Sequence, residues 1–190
     1  MQLSRSYVIE RAASTDDTRP QLAHPVLAGE RLVATNGHIL AVVPVVRDEA
    51  DTDGPVPAEA FKAARKHPAP GGAAVVIANG DVRVPFAGLS LTRPEAGTFP
   101  DWQRVVPTRA VVFSVGIDAR LLLALAQAVG ADRGGKASVR LDFVTDLPTD
   151  GSGERPERAS ATDAIRVTPT GAVVDGEASA AFGLLMPCRV

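Results

Sequence analysis

The stretch Leu32-Val33-Ala34-Thr35-Asn36-Gly37-His38-Ile39-Leu40-Ala41-Val42-Val43 decides how this chain is read. Apolar and β-branched residues run up to Thr35 and resume after His38. Asn-Gly between them signals a tight turn, because such turns need residues that tolerate positive φ. Gln21 to Ala34 and His38 to Val46 are therefore expected as two antiparallel strands. Asp48 to Pro55 follows as an acidic connector containing Gly and Pro. Pro57 to Lys66 then predicts a helix, with proline in its first turn and cations in its last, and Pro68 and Pro70 end it. Ala73–Ala78, Asp81–Phe86 and Gly88–Thr92 read as three short strands, the first two joined at Asn79-Gly80.

The order strand, helix, strand, strand, strand then returns. Ala110–Val115 is expected as a strand, Asp118 as the N-cap of a helix over Ala119–Val129, and Ser138–Val144 as the next strand. Thr145 to Thr162, rich in Pro, Gly, Ser and charge, is expected as a surface loop. Ala164–Thr168, Ala172–Asp175 and Ala181–Met186 complete the set. This degenerate repeat of ~60 residues predicts an α+β fold whose antiparallel sheets are covered on one face by helices.

Composition sets further bounds. The chain has 190 residues, 20 Lys+Arg against 22 Asp+Glu, and a net charge of -2, with 45% hydrophobic and 22% charged residues. That is globular composition, for one domain or two small ones. Aromatics are only 4%, so Val, Leu, Ile and Ala must build the core. The single Cys188 excludes an intramolecular disulfide framework and a cysteine-based zinc site. No apolar run approaches the ~18 residues of a membrane span, and the first residues lack a signal-peptide core. A soluble, cytoplasmic protein without membrane partners is expected. The charge is uneven: residues 101–140 hold 6 basic and 3 acidic side chains, residues 141–190 hold 4 and 8.

Catalytic patterns are missing. His24, His38 and His67 share no metal-ligand spacing, and neither a G-x-S-x-G elbow nor a phosphate-binding G-x-x-x-x-G-K-[ST] occurs. The carboxylates at Asp16-Asp17 and at Glu49, Asp51 and Asp53 fall in connectors, where solvated charge is expected. Cys188 reads as a small buried hydrophobe. No catalytic residue, metal or cofactor is expected, and the chain is read as a non-enzyme.

Four segments carry a family resemblance. Phe99-Pro100-Asp101-Trp102-Gln103-Arg104-Val105-Val106-Pro107 resembles the F-P-D-Y-x-R-V-x-P segment of the bacterial DNA polymerase III β sliding clamp. Thr35-Asn36-Gly37-His38-Ile39-Leu40-Ala41 is similar to its T-D-G-H-R-L-A, and Asp17-Thr18-Arg19-Pro20 to its D-E-T-R-P. Leu185-Met186-Pro187-Cys188-Arg189-Val190 is similar to its terminal V-M-P-M-R-L. Ile39, Asn36 and Cys188 depart from the family's Arg, Asp and Met.

The resemblance implies a DNA clamp fold of repeated strand-helix-strand-strand-strand modules. Residues 1–107 correspond to the middle of that family's three domains, and residues 108–190 to the last half of the third. It further implies a sliding-clamp-like processivity factor that tethers replication proteins, or alternatively a clamp mimic or adaptor that binds clamp-interacting proteins without encircling DNA. The partners so implied are DNA, a DNA polymerase, the clamp loader and other proteins with a clamp-binding motif. Self-association into a ring is also expected, of about four copies if symmetric contacts close it. By position, the peptide pocket would comprise Thr35, Gly37, His38, Leu40, Pro100, Arg104, Val105, Met186, Pro187, Arg189 and Val190. Lys62, Arg65 and Lys66, at i, i+3 and i+4 of one helix, would face DNA without reading bases, joined by Arg120 and Arg133.

Overall fold

Leu32, Val33 and Ala34 have no exposed surface in the computed structural model, which describes residues 1–78, 80–95, 97–108, 114–129, 131, 138–143, 164–170, 173–174, 177–178 and 181–187. Successive strand side chains point to opposite faces, so three buried in a row need cover on both. The chain divides into two compact units, Met1–Pro107 and Thr108–Val190.

The first unit begins with β1 (Gln2–Leu3), a 3₁₀ turn at Ile9–Ala12, β2 (Val26–Ala28), β3 (Arg31–Thr35) and β4 (Leu40–Pro44). It continues with β5 (Gly54–Pro55), α1 (Ala58–Lys66), β6 (Ala73–Ala74), β7 (Val76–Ala78), β8 (Asp81–Val84) and β9 (Leu89–Thr92). A strand, the 3₁₀ turn and three strands (β1 to β4) are thus followed by a strand, α1 and four short strands (β5 to β9). One antiparallel sheet has the order β4-β3-β2-β5 and another the order β7-β8-β9, while β1 pairs with β6. α1 turns Ala60, Phe61 and Ala64 into the core.

Two expectations are corrected. Gln21–Ala34 is not one strand, because Pro20–Leu22 forms a 3₁₀ turn and the chain reverses between β2 and β3. Gly29 makes that reversal at φ +58, which L side chains rarely adopt, and its N–H is taken by Asp53 Oδ2 at 3.2 Å. The stretch Ala73–Ala78 is also broken: β6 and β7 belong to different sheets, with Val75 between them.

The acidic connector holds the largest departure. Asp51 is 3% exposed rather than solvated. Its Oδ2 lies 2.5 Å from the Met1 amino group, with neither group exposed. The same carboxylate accepts the N–H of Asp48 at 2.8 Å and of Ile77 at 3.0 Å. The Met1 amine also donates to the Val75 carbonyl at 2.6 Å. Gln2 exchanges backbone hydrogen bonds with Val46 at 2.7 and 2.8 Å. The first residues thereby join the connector, β6 and β7.

In the second unit, α2 (Ala119–Ala128) starts at Asp118, whose carboxylate accepts the N–H of Arg120 at 2.8 Å and of Leu121 at 3.4 Å. The Arg120 side chain, then these N–H groups, hold the Asp118 carboxyl below its ordinary range despite partial desolvation. β10 (Val139–Asp142), β11 (Ile165–Pro169) and, further on, β14 (Gly183–Leu185) form an antiparallel sheet in the order β10-β11-β14. Between them β12 (Val173–Val174) pairs with β13 (Glu177–Ala178). Ile165, Val167 and Leu185 are buried, with Leu122 and Leu125 of α2 packed on them. A Cβ at Gly183 would run into Leu125, so glycine there lets helix and strand approach. The expected strand at Ala110–Val115 lies largely outside the described residues, as does all of the loop Thr145–Thr162. No helix among the described residues is long and apolar enough to cross a membrane.

Removing one member of a buried ion pair leaves the other charged and unpaired. Asp51→Asn is therefore expected to lower stability by about 3–5 kcal/mol in urea unfolding. Burial pushes the Asp51 carboxyl up, but the Met1 amine and the two N–H bonds outweigh it and hold the group below 3.8. A lowered folded pKa means stability that is complete above the unfolded value and lost as pH falls through the folded one. The parent should lose this part below about pH 4, and Asp51→Asn should lack that segment of the acid profile.

Candidate functional site

Thr35 and Leu40 face each other as the last pair of β3 and β4, so the turn spans Asn36 to Ile39 rather than two residues. Side chains explain the wider loop. The Thr35 hydroxyl accepts the Gly37 N–H at 3.0 Å and donates to the Ile39 carbonyl at 2.6 Å. Asn36 Oδ1 accepts the N–H of His38 at 2.9 Å and of Ile39 at 3.0 Å. Gly37 sits at φ +88, and Arg19 Nη1 lies 3.1 Å from where its Cβ would be. Gly37 and His38 are exposed, and Thr35 and Leu40 half-buried.

Arg19 belongs to the segment Asp17–Pro20, so two of the motif-bearing segments meet here. Asp16 fixes this approach by accepting from the Thr18 hydroxyl at 2.6 Å and the Thr18 N–H at 2.9 Å, bonds that lower its carboxyl pKa in that order of importance. The segment Phe99–Pro107 starts nearby, since a Cβ on Gly97 would lie 3.7 Å from Gln21 Cβ. Trp102–Val105 forms a 3₁₀ turn. Phe99 and Trp102 are half-buried and anchor it, while Pro100, Arg104 and Val105 are exposed, Val105 to 70%.

In the second unit, β14 and its flanks alternate. Leu185 points into the core at 4% exposure, whereas Phe182, Leu184 and Met186 are 52%, 60% and 63% exposed. Alternation puts these three on one face. The Arg166 guanidinium stacks 4.4 Å from the centre of the Phe182 ring, and Arg166 is the register partner of Leu184. An exposed apolar row of this kind commonly marks an interaction site. Leu184 is absent from the sequence-derived set, although the period of two through 182, 184 and 186 was available to find it. Pro187 is half-buried, and Arg189 and Val190 lie outside the described residues.

The cationic face is sparser than its spacing implies. Lys62 and Lys66 are exposed on α1. Arg65 is not free: both its η nitrogens bind the Glu10 carboxylate, and Nη1 also reaches the Tyr7 carbonyl at 3.4 Å. This ion pair locks α1 to the 3₁₀ turn at Ile9–Ala12. Arg5, which nothing in the sequence associates with α1, approaches the Arg65 carbonyl at 3.5 Å. Arg120 is highly exposed but paired with Asp118 at 3.2 Å, and Arg133 lies outside the described residues. No cluster of three or more His, Cys, Asp or Glu among the described residues could hold a metal ion.

No family model matches the chain, and no curated protein does. Among solved structures it resembles the C. crescentus beta sliding clamp, crystallised with PEG bound to its proposed beta-motif tethering region. The TM-score is 0.63 at 24% sequence identity, over 96% of this chain and 47% of that one. The protein therefore has a clamp-like α+β fold and spans about half the length of that clamp.

Gly37→Ala is expected to cost about 1–2 kcal/mol, because an L side chain resists the left-handed region. Arg19 must also move aside. Thermal unfolding measures the loss, and Gly37→Asn should lose less, because asparagine tolerates positive φ.

Proposed function

We propose that this protein is a non-enzymatic, clamp-like tether that grips short peptide motifs of replication proteins and rests on the DNA backbone. The observation that carries the reading is the clamp-like fold across nearly the whole chain, in a sequence whose motif-bearing segments expose ordered, apolar surface. Thr35, Gly37, His38, Leu40, Pro100, Arg104 and Val105 would serve from the first unit. Met186, Pro187, Arg189 and Val190 would serve from the second, with Leu184 beside them. Val105 on the first unit and Met186 on the second would each offer an apolar contact to a peptide's Leu or Phe, and the hydrogen-bonded hairpin tip would offer a fixed backbone at little ordering cost. The partners would be polymerases, clamp loaders and other proteins carrying such a motif. Copies of the chain would associate to surround or flank the duplex.

DNA contact would run through Lys62 and Lys66 to phosphate oxygens, without base readout. The engagement of Arg65 with Glu10 and of Arg120 with Asp118 favours a second form of the reading. In that form the protein is an adaptor that captures clamp-binding partners and touches DNA weakly or not at all.

A clamp-binding peptide with an apolar anchor is expected to bind in the micromolar range, about -8 kcal/mol. Met186→Lys puts a charge at an exposed strand end and should weaken binding at least tenfold by calorimetry. A folded Met186→Lys protein that binds as well as the parent would overturn the peptide assignment.

Lys62→Ala with Lys66→Ala should weaken DNA binding on every sequence alike and flatten its salt dependence by up to about two phosphate contacts. Arg65 is left intact because its loss would break the Glu10 pair. If the parent shows no salt-dependent DNA binding, the adaptor form stands.

A further inference from the structure

The chain holds two asparagines, Asn36 and Asn79, and glycine follows each. Asparagine before glycine is prone to one reaction of its side chain, because glycine has no Cβ to hinder it. A base takes the proton of the glycine N–H, and the nitrogen attacks the asparagine Cγ. The new N–Cγ bond closes a cyclic imide as the Cγ–Nδ2 bond breaks and ammonia leaves with a proton. Water then adds to one of the two imide carbonyls. Opening at Cγ gives aspartate. Opening at the main-chain carbonyl gives isoaspartate, whose backbone is one methylene longer. At the tip of the β3–β4 hairpin the groups of the first step are already engaged. The Gly37 N–H, which must lose its proton, donates to Thr35 Oγ1 at 3.0 Å. The same hydroxyl donates to the Ile39 carbonyl at 2.6 Å and so bridges the loop. Asn36 Oδ1 accepts from the His38 and Ile39 N–H groups, which fixes the rotation of the carboxamide. Ring closure needs aligned atoms and a freed nitrogen, so these bonds must open first. Water has access, since Gly37 is exposed and Asn36 half-buried. Asn79 follows Ala78, which has no hydroxyl for a bond of this kind.

We propose that Asn36 is a latched deamidation site, in which the Thr35 hydroxyl withholds the Gly37 nitrogen and release of that bond commits the tip to a negative charge. In the aspartate product a carboxylate oxygen replaces Oδ1 as acceptor for the same two N–H groups, and charge strengthens those bonds. The Arg19 guanidinium is at hand, with Nη1 3.1 Å from where a Gly37 Cβ would be. In the isoaspartate product the added methylene displaces Gly37 from Thr35, and the loop loses its bridge. Either way the side chain at position 36 passes irreversibly from neutral to anionic.

The proposal depends on the hydrogen bonds of the tip alone, and on neither the peptide nor the DNA reading. Peptide mapping by mass spectrometry, after timed incubation of the full chain at neutral pH, follows Asn36 and Asn79 separately. In the parent, Asn36 should deamidate at least tenfold more slowly than in a synthetic peptide of Leu32 to Val43, because an isolated hairpin is marginal in water. Thr35→Val removes the hydroxyl at nearly constant shape. It should raise the Asn36 rate at least fivefold and leave the Asn79 rate unchanged. Thr35→Ser keeps a hydroxyl and should stay within twofold of the parent. Circular dichroism confirms that each variant is folded, and the comparison of parent with peptide needs no variant. A parent whose Asn36 reacts as fast as the peptide overturns the proposal. So does a folded Thr35→Val that reacts at the parent rate, or a Thr35→Ser as fast as Thr35→Val. Equal acceleration at Asn79 in Thr35→Val would assign the effect to general loosening of the fold and overturn the latch as well.

Discussion

The Asp51 carboxylate, out of contact with water, gathers the Met1 amine and the N–H groups of Asp48 and Ile77, and the first unit is organised around that convergence. A buried charge is tolerable only when its attraction to a partner and its hydrogen bonds offset lost hydration. Here the partner arrives on β1, a strand of only two residues. Two residues of ladder would not hold themselves in place, yet β1 pairs with β6 on one side and reaches Val46 on the other. The ion pair supplies the missing constraint, and the edge of the β4 sheet is then fixed against β6. The hairpin tip and α1 inherit their positions from that junction.

Local signals in the sequence carried far where the chemistry was local. The apolar runs on either side of Asn36-Gly37 placed β3 and β4. Pro57 with Arg65 and Lys66 bounded α1, and Asp118 marked the start of α2 through a cap that its side chain makes with residues two and three positions on. The misses have a common cause. Gly29 turns the chain inside what reads as one long β-prone run, because a lone glycine in such a run fits a bulge or a close approach as well as a reversal. The burial of Asp51 depends on an amine 50 positions away, and the fate of Arg65 on Glu10, 55 positions away. Helical spacing put Arg65 beside Lys62 and Lys66 correctly but could not show that its fork was already filled. Leu184 was legible from strand alternation, and the family motif drew attention to the residues after it instead.

The two units also differ in how they treat a helix. α1 buries Ala60, Phe61 and Ala64 and braces its flank with an ion pair, whereas no residue of α2 is fully buried. α2 is nonetheless the more apolar of the two, with four leucine and four alanine residues against one phenylalanine and four alanine. Its packing on the sheet depends on Leu122 and Leu125, and on the absence of a side chain at Gly183. A helix of that composition with so little cover has apolar surface to spare, which the first unit lacks on α1.

The fork of Arg65 closes on Glu10, and this changes the kind of cation that α1 presents to solvent. A guanidinium holds an oxyanion by two parallel bonds and so fixes its angle, while an ammonium is a hydrated point charge indifferent to direction. With arginine spent inside the fold, Lys62 and Lys66 remain as the outward cations of the helix, with Glu59 exposed beside them. A polyanion held by ammonium groups alone has no preferred register. Such a polyanion could exchange one phosphate for the next at little cost.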